Sequence, residues 1–191
     1  MARRLVVGVT GSSAPQLGLV LLEVLREIDD IEVHLVVSAG AERTIELELG
    51  MKRADVEALA DVVYDPQDMA AAISSGSFLT TGMVVCPCSM KTLASIATGL
   101  SLDLVARAAD VTLKERRPLV LVTRETPLNL VHIRNMETVT LAGATVLPPM
   151  PAFYHQPATI TDLLRQTAGK VLDQFGIEHD AFTRWPAPDQ L

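Results

Sequence analysis

The chain is poor in aromatic residues, cysteine and positive charge. Phe, Tyr and Trp make up 4% of its 191 residues. The core must therefore come from Val, Leu, Ile, Ala and Met, which suits stacked layers of helix and strand. The two cysteines, Cys86 and Cys88, flank Pro87. A disulfide across that spacing would be strained, and the expected compartment is reducing. Zinc usually takes four ligands, and no second Cys pair or nearby His cluster supplies them. The pair reads as two small buried hydrophobes at a strand end. Sixteen basic residues face 23 acidic ones, a net charge of −7, which excludes a binder of duplex nucleic acid. No apolar run reaches the roughly 18 residues of a membrane span. The basic start at Ala2-Arg3-Arg4 leads into an apolar stretch shorter than a signal-peptide core. These absences describe a cytoplasmic protein with neither nucleic acid nor membrane as partner.

What is present is an apolar chain, 49% hydrophobic and 20% charged. That is too apolar for disorder. A chain of this length buries roughly 70% of its unfolded surface. The mean hydropathy of +0.30 predicts apolar surface covered by sister subunits.

Short β-rich runs alternate with helical patterns. Strands are predicted at 5–9, 31–37, 83–86, 119–122 and 144–147, with a weaker one at 62–64. Continuous apolar runs bounded by turn residues fit strands buried on both faces of a parallel sheet. Helices are predicted at 17–27, 41–49, 54–60, 67–73, 90–98, 103–113, 128–141 and 160–175. The alternation predicts an α/β fold: a Rossmann-like, three-layer, doubly wound parallel sheet. One domain covers 1–176. Residues 177–191 read as an irregular tail, with Trp185 packing on a neighbouring subunit.

In such sheets ligands bind at the carboxyl ends of strands, so the residues following each strand matter most. The first strand leads into Gly11-Ser12-Ser13-Ala14-Pro15, where Gly11 permits a tight turn and the serines offer hydroxyls. The dinucleotide fingerprint is absent. Ser38 follows the second strand, and Ser89-Met90-Lys91-Thr92 the third. Each serine taken singly is a helix cap. Together they form a rim that favours a phosphorylated cofactor. Arg124-Glu125 follows the fourth strand; Arg124 can bind phosphate bidentately, and Glu125 can be acid, base or structural partner. Lys114-Glu115-Arg116-Arg117 reads as a solvated cluster closing a helix. The proline-rich loop 148–157 carries Tyr154 and His155, which either cover a ligand or pack the loop. His34 and His132 read as structural, and His179 as tail surface.

The motifs Cys86–Leu93, Arg107–Val111, Leu113–Leu121, Arg124–Pro127 and Pro151–Pro157 closely resemble those of the UbiX-type flavin prenyltransferases, in order along nearly the whole chain. The resemblance implies reduced FMN and dimethylallyl phosphate as substrates, with bonds formed at flavin N5 and C6. It implies no metal, a dodecamer with sites between subunits, and prenylated FMN delivered to a UbiD-type decarboxylase. By the same resemblance Gly11, Ser12, Ser13, Ser38, Ser89, Met90, Lys91, Thr92 and Arg124 bind flavin. Arg107, Lys114, Tyr154 and Lys170 lie at the prenyl phosphate, and Trp185 helps to close the site. Ser13, Glu48 and Glu125 handle protons. The family usually reads Gly-Ala-Ser-Gly-Ala after the first strand; this chain has Ala14 and Pro15 at the last two positions, and Ala39 where relatives often carry Lys. Ala14 adds a methyl group where backbone approaches the flavin, and Pro15 biases Ala14 away from the helical region. Two other readings remain: an FMN-binding accessory subunit without prenyl transfer, and a peptidyl-cysteine decarboxylase, whose Pro-Ala-Ser-Ala-Asn-Thr motif is replaced here by Pro87–Thr92.

Overall fold

The computed structural model describes residues 3–185. Six parallel strands form one sheet: β1 (Arg3–Val9), β2 (Ile31–Val37), β3 (Val62–Tyr64), β4 (Gly82–Cys88), β5 (Leu119–Thr123) and β6 (Thr145–Val146). Their order is β3-β2-β1-β4-β5-β6. Seven helices connect them: α1 (Gln16–Arg26), α2 (Ala39–Leu49), α3 (Arg53–Glu57), α4 (Met90–Thr98), α5 (Leu104–Lys114), α6 (Leu130–Leu141) and α7 (Ile160–Asp173). All five sheet pairings are parallel, the doubly wound arrangement expected from the sequence.

Period-2 alternation sorts the strand residues between two cores. Leu5, Val7, Val9, Val84, Cys86, Val120 and Val122 face α1, α2 and α7. Val6, Met83, Val85, Cys88, Leu119 and Leu121 face α4, α5 and α6. Both cores are nearly all aliphatic. The order reverses beside β1, whose neighbours are β2 and β4. The crevice at the carboxyl ends of those strands is where such folds bind ligands.

Three expectations change. The helix predicted at 67–73 is a series of turns followed by one 3-10 turn at Ala72–Ser74. Asp65 accepts from the Gln67 amide at 2.8 Å and Asp68 from the Ala70 amide at 3.0 Å; these side chains take backbone donors that a helix would need. Strand β4 does not stop at Cys86 but runs to Cys88, with its pairing to β5 shifting register between Val85 and Cys88. His179 is not tail surface. Its side chain is buried and lies 3.2 Å from Asp173. His34 and His132 stand as read: His34 is buried in β2 with Nδ1 2.8 Å from the Tyr64 hydroxyl, and His132 closes the cap of α6 with Asn129.

Candidate active site

A single threonine aligns the floor of the crevice. The Thr10 hydroxyl donates to the Pro87 carbonyl at 2.8 Å and accepts from the Ser89 amide at 2.8 Å. This ties the end of β1 to the start of α4. The Ser89 hydroxyl accepts from the Thr92 amide, and Ser38 does the same for Ala41 in α2, each at 3.2 Å. Two capped helix N-termini thus open on one cleft, each bringing the positive end of its dipole. Gly11 makes the join possible: a Cβ there would lie 2.7 Å from the Gly40 backbone.

The cleft holds about 370 Å³ and is lined by Gly11, Ser38, Ser89, Met90, Lys91, Thr92 and Glu125 among others. Sequence reasoning missed Gly40, Pro66, Gln67, Leu102 and Asp103, which also line it. Gly40, two residues past the Ser38 cap, was the available signal. Gln67 was hidden by the helix expected there. A larger cleft of about 580 Å³ lies between α1 and the tail, but Glu27, Asp29, Glu178 and Asp180 line it against one Arg184. Four carboxylates make that cleft unfit for a phosphate.

Arg124 stands just beyond the end of β5, next to Glu125, and is not itself among the residues lining the cleft. Its carbonyl accepts from Ser12 Oγ at 2.9 Å, and its amide donates to the Cys88 carbonyl at 3.2 Å. Its backbone is pinned while its guanidinium has no ion-pair or hydrogen-bond partner among the described residues. Beside it, Ser13 Oγ and the Ala14 amide both donate to Glu48 Oε2, at 3.1 and 2.9 Å. Ala14 has φ +66° and Pro15 is helical, with no side chain capping α1. The turn therefore keeps a left-handed residue without glycine, braced by a carboxylate from α2. Glu125 caps its own neighbour, accepting from the Thr126 amide at 2.9 Å.

Cys86 and Cys88 lie beneath the cleft, both free and fully buried. Burial pushes the Cys88 thiol up to about 12, and Cys86 is raised by burial and by its neighbouring thiol. Neither is a thiolate nucleophile at neutral pH.

The basic candidates divide into two groups. Arg107 and Lys114 lie on α5, seven residues and hence about two turns apart on one face. Arg107 donates to the Ser74 carbonyl at 3.2 Å and to Asp110 at 2.8 Å, and Lys114 pairs with Glu115. Lys170 lies on α7, 3.2 Å from Asp173. Tyr154 precedes α7, and its ring lies 5.5 Å from that of Trp185. Since α5 and α7 cover opposite faces of the sheet, their axes are separated by about 20 Å, two layer thicknesses. One chain does not bring these groups to one phosphate. Among the described residues no three His, Cys, Asp or Glu are grouped to hold a metal ion.

A family model described as Flavoprotein matches residues 1–171. The flavin prenyltransferase UbiX of Escherichia coli K12 is 52% identical over 185 residues, covering 96% of this chain and 98% of that protein. The chain belongs to the UbiX-type flavoproteins. The structure of AnUbiX (PadA1) in complex with FMN and dimethylallyl pyrophosphate matches at TM-score 0.95 and 51% identity, over 98% of this chain and 99% of that one. A dodecameric FMN-dependent UbiX-like decarboxylase from Escherichia coli O157:H7 matches at TM-score 0.92 and 52% identity, over 96% of this chain and 99% of that one. The peptidyl-cysteine decarboxylase EpiD, 16% identical at TM-score 0.59, shares the fold alone.

Proposed function

We infer that this chain is a flavin prenyltransferase that joins the dimethylallyl group of dimethylallyl phosphate to reduced FMN. When bound, reduced FMN supplies the nucleophile at N5 and the ring carbon C6 that closes the added ring. The carrying observation is that the backbone of Arg124 is bonded to Cys88, the residue before the Ser89 cap of α4, while its guanidinium has no partner among the described residues. That donor set fits a flavin phosphate: a positive helix end, a serine, Lys91 and a planar cation. The complex of a relative 51% identical with FMN and dimethylallyl pyrophosphate supports a dimethylallyl phosphate ester beside the flavin.

Each residue then has a task. Gly11, Ser12, Ser38 and Met90 shape the flavin seat; Ser89, Lys91, Thr92 and Arg124 hold its phosphate. Arg107, Lys114, Tyr154 and Lys170 hold the phosphate of the donor and stabilise the charge it takes as it leaves. Tyr154 and Trp185 present ring faces to the allylic cation left behind. Ser13, Glu48 and Glu125 move protons at the flavin edge. Glu48 Oε2 already holds Ser13 and Ala14, which orients the carboxyl group.

Because the donor-binding residues lie on two faces, a complete site needs α5 of one subunit and α7 of another. A dodecamer, as named for the relative from Escherichia coli O157:H7, supplies such junctions. The exposed side of Trp185 packs on that neighbour. The product passes to a UbiD-type decarboxylase, and two free buried thiols suit the cytoplasm. The test is complementation. Arg107→Ala and Lys170→Ala should each lose most prenylation alone, and mixed assemblies refolded together should regain a substantial fraction. Mixtures as inactive as either parent would place the whole site in one chain.

A further inference from the structure

The tail beyond α7 is held to its own helix by a device that the flavin chemistry does not require. Gly169 leaves a bare patch on α7, where a Cβ would lie 2.5 Å from the Phe182 ring and 2.6 Å from His179. One turn further on, Asp173 gathers three cationic or imidazole groups. Arg184 grips it with both ends of its fork, Nη2 to Oδ1 at 2.8 Å and Nη1 to Oδ2 at 3.2 Å. His179 Nε2 lies 3.2 Å from Oδ1, and Lys170 Nζ donates to Oδ2 at 3.2 Å. The Arg184 guanidinium also lies 5.4 Å from the centre of the Phe182 ring. Partial burial raises the Asp173 carboxyl, but hydrogen bonds from Arg184 and Lys170 outweigh it and hold it down at about 2. The carboxylate and its clamp therefore persist throughout the neutral range and are lost only as pH falls through about 2.

The next residue is Trp185, 64% exposed and edge-on to Tyr154. Burial within its own chain does not fix so exposed a ring, and the clamp on the adjacent Arg184 sets where it meets the neighbouring subunit. The same carboxylate orients Lys170. Two groups assigned above to the prenyl donor thus depend on one residue that no motif singled out.

We propose that Asp173 is a positioning residue for the prenyl donor, setting Trp185 through Arg184 and Lys170 by direct contact. The kinetic half of this proposal rests on the prenyltransferase reading; the structural half does not. Trp185 is the chain's single tryptophan, so its fluorescence reports on the tail alone. In the assembled protein, Asp173→Asn and, independently, Arg184→Ala should at least double the acrylamide quenching constant of Trp185. Asp173→Asn should raise the KM for dimethylallyl phosphate about tenfold, with kcat within about twofold and FMN affinity unchanged. Asp173→Glu, which keeps the charge, should recover most of both effects. Unchanged quenching in both Asp173→Asn and Arg184→Ala overturns the proposal, as does a freed Trp185 with an unchanged KM. If the native protein prenylates no flavin, the functional reading fails while the quenching comparison still decides whether Asp173 holds the tail.

Discussion

At the scale of single residues, Ala14 is the informative exception. A left-handed conformation costs a non-glycine residue roughly 1–2 kcal/mol, and Ala14 adopts it at φ +66°. The cost is met locally: Glu48 binds the Ala14 amide, and Pro15 disfavours the right-handed alternative. Ala14→Gly should relieve the strain, offset in part by the greater freedom of glycine when unfolded. The expected result is a gain of about 1 kcal/mol or less in denaturant unfolding, with FMN affinity changed by no more than about tenfold. A loss of stability would show that the methyl group packs favourably. The sequence alone disclosed the oddity of Ala14-Pro15, because a backbone constraint is local. It did not disclose the bond to Glu48, which spans 34 residues and depends on how α2 lies across the loop. Asp173 went unread for a different reason: its partners His179 and Arg184 come from the returning tail, whose path no local pattern fixes.

At the scale of elements, the strands were the most legible part. Buried parallel strands read as continuous apolar runs, and β2 and β3 occupy the spans predicted for them. Helices α4 and α6 end at the expected residues because Gly99 and Ala142-Gly143 stop them. The failure at 67–73 came from aspartates that cap turns rather than a helix. The extension of β4 through Pro87 came from partners on β1 and β5 that no local pattern displays. The start of α4 gives the sharpest prediction at this scale. The capped start of α4 lies beside the backbone of Arg124, whose guanidinium is unpaired among the described residues. Arg124→Ala should weaken FMN binding by roughly 1.5–3 kcal/mol, the worth of a charged hydrogen bond. Titration calorimetry checks it, and an unchanged affinity would remove Arg124 from the phosphate site.

At the scale of the whole molecule, the high hydropathy and the split of basic residues tell one story. Leu130, Val131, Ile133 and Leu141 of α6 are exposed on the described chain, as are Leu100 and Leu102. That much apolar surface asks for cover by other subunits. Subunit contacts also give α5 and α7 of different copies a way to meet, which a single chain denies them. The resemblance pointed to Arg107, Lys114, Tyr154 and Lys170 as the proposed holders of the donor; their division across the sheet became visible only in three dimensions. The central claim is prenyl transfer to flavin, and the direct measurement is the mass and absorption spectrum of the flavin recovered after anaerobic incubation of the native protein with reduced FMN and dimethylallyl phosphate. The account predicts a flavin heavier by one added prenyl group and spectrally distinct from FMN, and unmodified but bound flavin from Glu48→Gln. Recovery of unmodified FMN from the native protein would contradict it.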